Sequence, residues 1–225
     1  MDVKINKQSN CRIDGRDHMS PNLLNVFRSR RSIKEYSPKK VSNEVLFRIL
    51  EASRWAPSAH NAQPWRFIVI QDSALKQKLA KAMASRWHRD MSKNGVSKEQ
   101  RESLIKASVE RFENAPIIII ACLTMENMDE YPDHRRKRIE YVMAVQSVAA
   151  AIENILLAAY GEGLGSCWFC APLFCQDVVR KIMKIPQHVD PQALITLGYP
   201  ANRPNPPSRK PLEEIVHQNR WRHTA

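Results

Sequence analysis

Ile117 to Leu123 (Ile-Ile-Ile-Ile-Ala-Cys-Leu) contains no polar residue. In a strand, successive side chains point to opposite faces, so this run is apolar on both. A strand of that kind is stable only in the middle of a sheet with a covering layer on each side. It is also far shorter than the ~20 apolar residues a membrane helix needs, and no other run is expected to reach that length. Shorter segments supply the rest of a sheet: Trp65 to Ile70, Ser166 to Phe169 and Ala193 to Tyr199. Between them lie helical patterns. Val142, Val145, Ala149, Ile152, Leu156 and Ala159 recur at helical spacing and predict a long helix from about Ile139 to Tyr160. Residues 124–135 read as a loop. Ser42 is a plausible N-cap for a helix carrying Leu46, Ile49 and Leu50. Ser73 opens another helix through Leu79 and Met83, and Ser97 with Gln100 forms a capping box for one reaching Phe112. Helices mixed with strands around one long helix make an α+β class, helices on a sheet.

The polar first 20 residues show no period and read as a loosely held arm. They lack the apolar core of a signal peptide. The five cysteines are odd in number and do not suggest a secreted disulfide framework. A cytoplasmic location is the simplest expectation. The net charge of +12 could serve nucleic acid, a membrane surface or acidic small molecules. The basic residues are scattered, however, and the dense run Arg135 to Arg138 has no zinc-finger or RNA-binding signature beside it. Neither nucleic acid nor membrane is expected as a partner.

Two short motifs invite a chemical reading. In Gly161-Glu162-Gly163-Leu164-Gly165 the order is helix, glycines, strand, the reverse of a dinucleotide-binding turn, so a helix C-cap is expected. Cys167-Trp168-Phe169-Cys170 sits in or at the end of an apolar strand. One such pair cannot complete a zinc site, and buried structural thiols are the favoured reading. No metal site, nucleophile elbow or Ser-His-Asp arrangement is read. What remains is polar and basic. Arg30, Arg31 and Lys34 surround Ser32, and guanidinium groups suit a phosphate dianion because they bind it bidentately and stay charged. Ser58, Asn61 and Gln63 offer donors and acceptors for a ribityl chain or a heteroaromatic edge. Arg209 could close the phosphate site.

At these residues the sequence resembles the nitroreductase superfamily. The resemblance rests on Arg30-Arg31-Ser32-Ile33-Lys34, on Trp55 to Phe67, on Ala158 to Trp168, and on Leu197-Gly198-Tyr199-Pro200 followed by Arg209. It covers about residues 22–216. It implies an α+β nitroreductase-like fold, a central, mostly antiparallel sheet of four or five strands flanked by helices, in a domain-swapped homodimer. The flavin-binding domain would span 21–216, between a flexible arm (1–20) and a C-terminal tail (217–225). Two FMN molecules would lie at the subunit interface. Arg30, Arg31, Ser32, Ile33 and Lys34 match the segment holding phosphate and ribityl. Pro57, Ser58, Asn61 and Gln63 match the loop that reaches the flavin from the partner subunit. Cys170 and Ala171 fall where backbone groups approach the reactive ring nitrogen, and Arg209 matches a late phosphate-binding arginine. Many relatives carry a lysine two residues before it; here that position is Pro207. Another cation would have to replace it, or the clamp is weaker.

A finer resemblance, through Gly163 to Phe174 and Trp87-His88-Arg89-Asp90, is to the flavin domain of deazaflavin coenzyme (F-420) glutamate ligase proteins. It would set Asp90 near a deazaflavin substrate. The implied chemistry is hydride transfer from NAD(P)H through FMN to an electron-poor small molecule: a nitro compound, a quinone or a dehydro-deazaflavin precursor. The cofactor carries such a reaction, so no catalytic residue is expected of the protein. Residues 84–114 and 125–140 would line the entrance, and their basic content favours an acidic substrate. The alternatives are a flavin or deazaflavin carrier without turnover, or a stand-alone reductase in deazaflavin coenzyme biosynthesis.

Overall fold

In the computed structural model, which describes residues 23–221, the apolar run lies in β2 (Ile117–Thr124), buried at every position. β2 pairs antiparallel with β1 (Trp65–Ile70) on one side and β4 (Val189–Gly198) on the other, and β3 (Gly165–Phe169) pairs antiparallel with β4. The order is β1-β2-β4-β3, so β2 is central, as its composition requires.

The two faces of β2 build two cores. Ile117, Ile119, Ala121 and Leu123 pack with Leu46 and Ile49 of α2 (Asn43–Ser53) and with Ala144, Val148, Ile152 and Ile155 of α5 (His134–Gly161). Ile118, Ile120 and Cys122 pack with Leu79 and Met83 of α3 (Ser73–Lys93), Phe112 of α4 (Lys98–Glu113) and Val179 of α6 (Gln176–Met183). Each Ile, Leu, Val, Met or Phe among them contributes roughly 1.5–3 kcal/mol on leaving water. α1 (Leu23–Ser29) precedes these layers, and α7 (Leu212–Ile215) follows them. The expected arm over residues 1–20 and the end of the tail beyond 221 lie outside the described residues.

Ser42 and Ser97 cap as expected, accepting from the Val45 and Gln100 backbone N–H groups. α3 starts at Ser73 as expected, capped by Asp72, whose side chain accepts from the Leu75 N–H. α5 begins five residues before the pattern predicts, because Asp133 accepts from the Arg136 N–H and starts the helix with the polar His134 to Arg138. It is also long and apolar enough, by length and composition, to cross a membrane, which corrects the expectation that no segment reaches that length. Its inward stripe from Ala144 to Ala159 is the floor of the first core, and core helices pass that test routinely. β4 begins four residues early, past a register shift at Ala121/Cys122 that sets Pro191 opposite Cys122. Proline donates nothing to a ladder and is tolerated at such an irregularity.

The glycine turn ends α5. Leu164 N–H donates to Ala159 O at 2.8 Å and Gly163 N–H to Tyr160 O at 3.0 Å, with Gly163 at φ 77°, the paired bonds of a Schellman cap. A Cβ on Gly165 would lie 2.6 Å from Ile33 Cβ, so glycine lets the 30–34 segment close on the sheet.

Candidate functional site

The segment from Arg30 to Lys34 lies along the free edge of β3. Ser32 bridges Ser166 in parallel, and Ile33 N–H donates to Ser166 O at 3.0 Å. Ile33 is buried while Ser32 and Lys34 face out, the alternation of an extended chain with one side on the core. Tyr36 holds the next turn: its hydroxyl donates to Ile33 O at 2.7 Å and lies 2.7 Å from Thr196 Oγ1 of β4. Burial pushes that phenol well above its ordinary range.

The outward groups converge on the Cys167 thiol of β3. Burial raises its pKa, while Lys34, a hydrogen bond from Ser32, Arg111 and Arg30 all act to lower it. The two expected arginines differ. Arg31 Nη1 donates to Arg28 O at 2.6 Å and Arg30 O at 2.7 Å, so it is spent on its own backbone. Arg30 reaches Glu153 only at 4.0 Å and keeps its guanidinium fork available.

Two cavities flank this surface. One, of about 1050 Å³, takes Lys34, Tyr36, Lys39, Lys76 and Arg111 among its walls. Lys76 is not free there, because its Nζ donates to Ala115 O at 2.6 Å. The other, of about 440 Å³, lies between α3, α4 and the 3₁₀ turn Ala171–Phe174. Trp87, Phe112, Phe169 and Phe174 make it apolar, and Asp90, Arg86 and Arg111 supply charge. Arg86 is paired to Asp177, and Arg111 sits 5.7 Å from the Phe169 ring centroid. Asp90 and Ala171, far apart in sequence, therefore border one space. Cys170 is exposed at the mouth of the turn. Cys122, Cys167 and Cys175 are buried free thiols; of the C-x-x-C pair, Cys167 is buried as expected, whereas Cys170 is exposed because it lies past the end of β3, which corrects that expectation. Burial pushes Cys122 up to about 12 and Cys175 up to about 11.

The second expected half of the site stands elsewhere. Pro57 to Gln63 leaves α2 and folds on the α5 side of the sheet, where Ala59 N–H donates to Ser147 Oγ at 3.2 Å. Ser58 Oγ accepts from Gln63 N–H at 3.1 Å, and His60, Asn61 and Gln63 all take positive φ (55°, 54° and 47°). Their side chains are exposed, and none of them shares a described cavity with Arg30, Lys34 or Ala171. Arg209 lies in the exposed 201–211 stretch and lines none of these cavities. Arg203 does. Together with Arg30, Arg31, Tyr160 and Ser166 it walls a small recess of about 20 Å³, where Ser166 Oγ is buried without a hydrogen-bond partner.

Arg111 and Arg203 escape the sequence reading. Arg111 is one of several cations on a polar helix, marked only by its place beside the inward Phe112; Arg203 looks like part of a proline-rich tail.

The sequence profile described as the Nitroreductase family matches residues 27–199. An NADH dehydrogenase of Thermus thermophilus is 32% identical, over 83% of this chain and 91% of the relative. A BluB-like flavoprotein from Clostridium difficile superposes with a TM-score of 0.74 at 26% identity, covering 88% of this chain and 99% of the other. A nitroreductase-type protein from Desulfovibrio desulfuricans, solved in complex with FMN, gives 0.67 at 27% identity over 91% of this chain and 100% of the other.

Proposed function

The chain belongs to the nitroreductase family, and from that premise we propose that it is an FMN-dependent oxidoreductase. It takes hydride from NAD(P)H and delivers it to an electron-poor small molecule. The observation that carries this reading is the grouping of Arg30, Ser32, Lys34 and Arg111 around Cys167 of β3, with Arg111 also bordering the cavity that Ala171 lines. The available fork of Arg30 and the orphaned Ser166 hydroxyl fit a phosphorylated ligand.

FMN would supply the hydride-carrying chemistry when bound. Arg30 and Lys34 answer the phosphate charge, with Arg209 or the nearer Arg203 as a further cation. Ser32 offers a hydroxyl to the ribityl chain. The backbone at Cys170 and Ala171 would steady the edge of the ring. The aromatic walls of the 440 Å³ cavity exclude water beside it and accept a planar second ligand. Cys122 and Cys175 stay protonated near neutral pH and hold no role in the chemistry.

The loop 57–63 completes the site in a second copy, which makes the working unit a homodimer. Trp55 (79% exposed) beside that loop, and Leu212 (67%) and Trp221 (75%) in the tail, are apolar side chains that a partner would cover. The domain then spans 21–216, and the four described free thiols suit a reducing cytoplasm. Among acceptors, a dehydro-deazaflavin precursor is favoured by one feature: Asp90 borders the same cavity as Ala171.

Purified protein should show the absorption of oxidised flavin, bleached anaerobically by NADH or NADPH. Arg30→Ala should weaken FMN binding by more than about tenfold, the usual cost of a charge-assisted bond. Colourless wild-type protein that takes up no added FMN would refute the reading.

A further inference from the structure

Apart from the flavin half-sites, one cluster of side chains has no explanation in the fold. His60 sits at the tip of the 57–63 loop, Asp129 in the connection before α5, and Glu140 in the second turn of α5. Glu140 is 4% exposed, yet its Oε2 has no hydrogen-bond partner. A carboxylate that deeply buried requires compensation. Among the described residues no lysine or arginine lies within ion-pair distance of it; the one nearby cation-forming group is His60 Nε2, 3.4 Å from Oε2 but out of line for a hydrogen bond. Asp129 Oδ2 approaches the same nitrogen at 3.8 Å, and the three ligand atoms lie within 4.8 Å of one another.

The 3.4 Å between His60 and Glu140 is the separation of neighbouring ligands in a coordination shell, and the 3.8 Å between His60 and Asp129 is slightly wider. An ion bound tetrahedrally at about 2.0–2.2 Å from each ligand holds neighbouring ligands roughly 3.3–3.6 Å apart. One imidazole and two carboxylates match the charge of a divalent ion, and the imidazole favours a first-row transition metal over magnesium. His60 and Asp129 are open to solvent, which gives the ion an entry path and leaves room for water as a further ligand. We propose that His60, Asp129 and Glu140 bind one Zn²⁺ or Mn²⁺ ion, fastening the tip of the 57–63 loop to the start of α5. The left-handed backbone at His60 is then held by the ion as well as by Ser147. The site stands whether or not the chain carries flavin.

The test uses the untagged full chain as purified, stripped with EDTA, dialysed and titrated calorimetrically with ZnCl₂ and with MnCl₂. One ion per chain is expected, with equimolar MgCl₂ failing to compete. Glu140→Gln and the exposed Asp129→Asn should each weaken binding by more than about tenfold, at least the loss seen when an outer-shell partner is removed. His60→Ala should abolish it. Zinc should raise the Tm of the wild type and leave that of His60→Ala unchanged. Asp129→Asn, at the surface, keeps the test meaningful if Glu140→Gln folds poorly. Absence of saturable binding would overturn the proposal. So would equal affinity in wild type and Asp129→Asn, which would place the ion on other ligands, or displacement by magnesium.

Discussion

The segment 30–34 and the loop 57–63 are both polar, exposed and joined to the same sheet, yet they are held in opposite ways. The first is fastened by burial: Ile33 drops into a slot that Gly165 leaves open, and Tyr36 is bridged to Thr196. The second is fastened by backbone geometry: three left-handed residues and one bond to Ser147. The first presents its side chains toward two cavities of its own chain; the second presents them to solvent on the other side of the sheet. Under the proposed function a site assembled from both uses two copies, and each fastening can be broken without the other.

The largest effect is expected at the first. Ile33→Ala removes a buried side chain and should cost ~2–5 kcal/mol, read as a fall in the denaturation midpoint, with loss of flavin affinity in the same variant. Tyr36→Phe keeps the ring and removes its hydroxyl bonds; about 1 kcal/mol is expected, with a smaller loss of affinity. Ser147→Ala strips the acceptor from Ala59 N–H. It should also cost about 1 kcal/mol but speed hydrogen exchange at 57–63 while leaving 30–34 protected. If Ser147→Ala disturbs both regions equally, the two are not independently held. Among the described cysteines, a thiol reagent at pH 8 should label Cys170 ahead of Cys122, Cys167 and Cys175, whose burial raises their pKa values.

The smallest effect concerns the link between the regions. Arg48 of α2 grips Glu162 in the turn before β3, at 2.8 and 2.7 Å, and holds its carboxyl below the ordinary range. Such a group stabilises the fold above its unfolded pKa, and that contribution is lost as pH falls through the lowered folded value. Glu162→Gln should thus lower stability slightly at neutral pH and make no difference once the pH has fallen below the lowered folded value, which flattens the acid side of the profile.

The sequence made the architecture legible where burial was two-sided or capping explicit. The four-isoleucine run demanded a central strand, Ser42 and Ser97 marked their helices, and the glycine turn declared its order. It hid what depends on long-range contact. The start of α5 rests on Asp133 capping a polar first turn, and the start of β4 on a bulge across from Cys122. Within the proposed site, Arg30 to Lys34 were readable as a basic cluster suited to phosphate, but the difference between the two arginines was not: Arg31 is folded onto carbonyls and Arg30 is not. Arg111 and Arg203 carry no local signal because their roles come from neighbours distant in the chain. His60, Asp129 and Glu140 share no motif for the same reason.

Whether the two regions meet between copies is decided by mixing. Arg30→Ala and the double variant Asn61→Ala/Gln63→Ala, each too weak to retain FMN alone, are unfolded together and refolded at equal concentration. If the halves meet across the interface, each mixed dimer regains one intact site, and bound flavin should return to about a quarter of the wild-type level for random pairing of a two-fold dimer. Flavin binding no higher in the mixture than in either variant by itself would contradict the account.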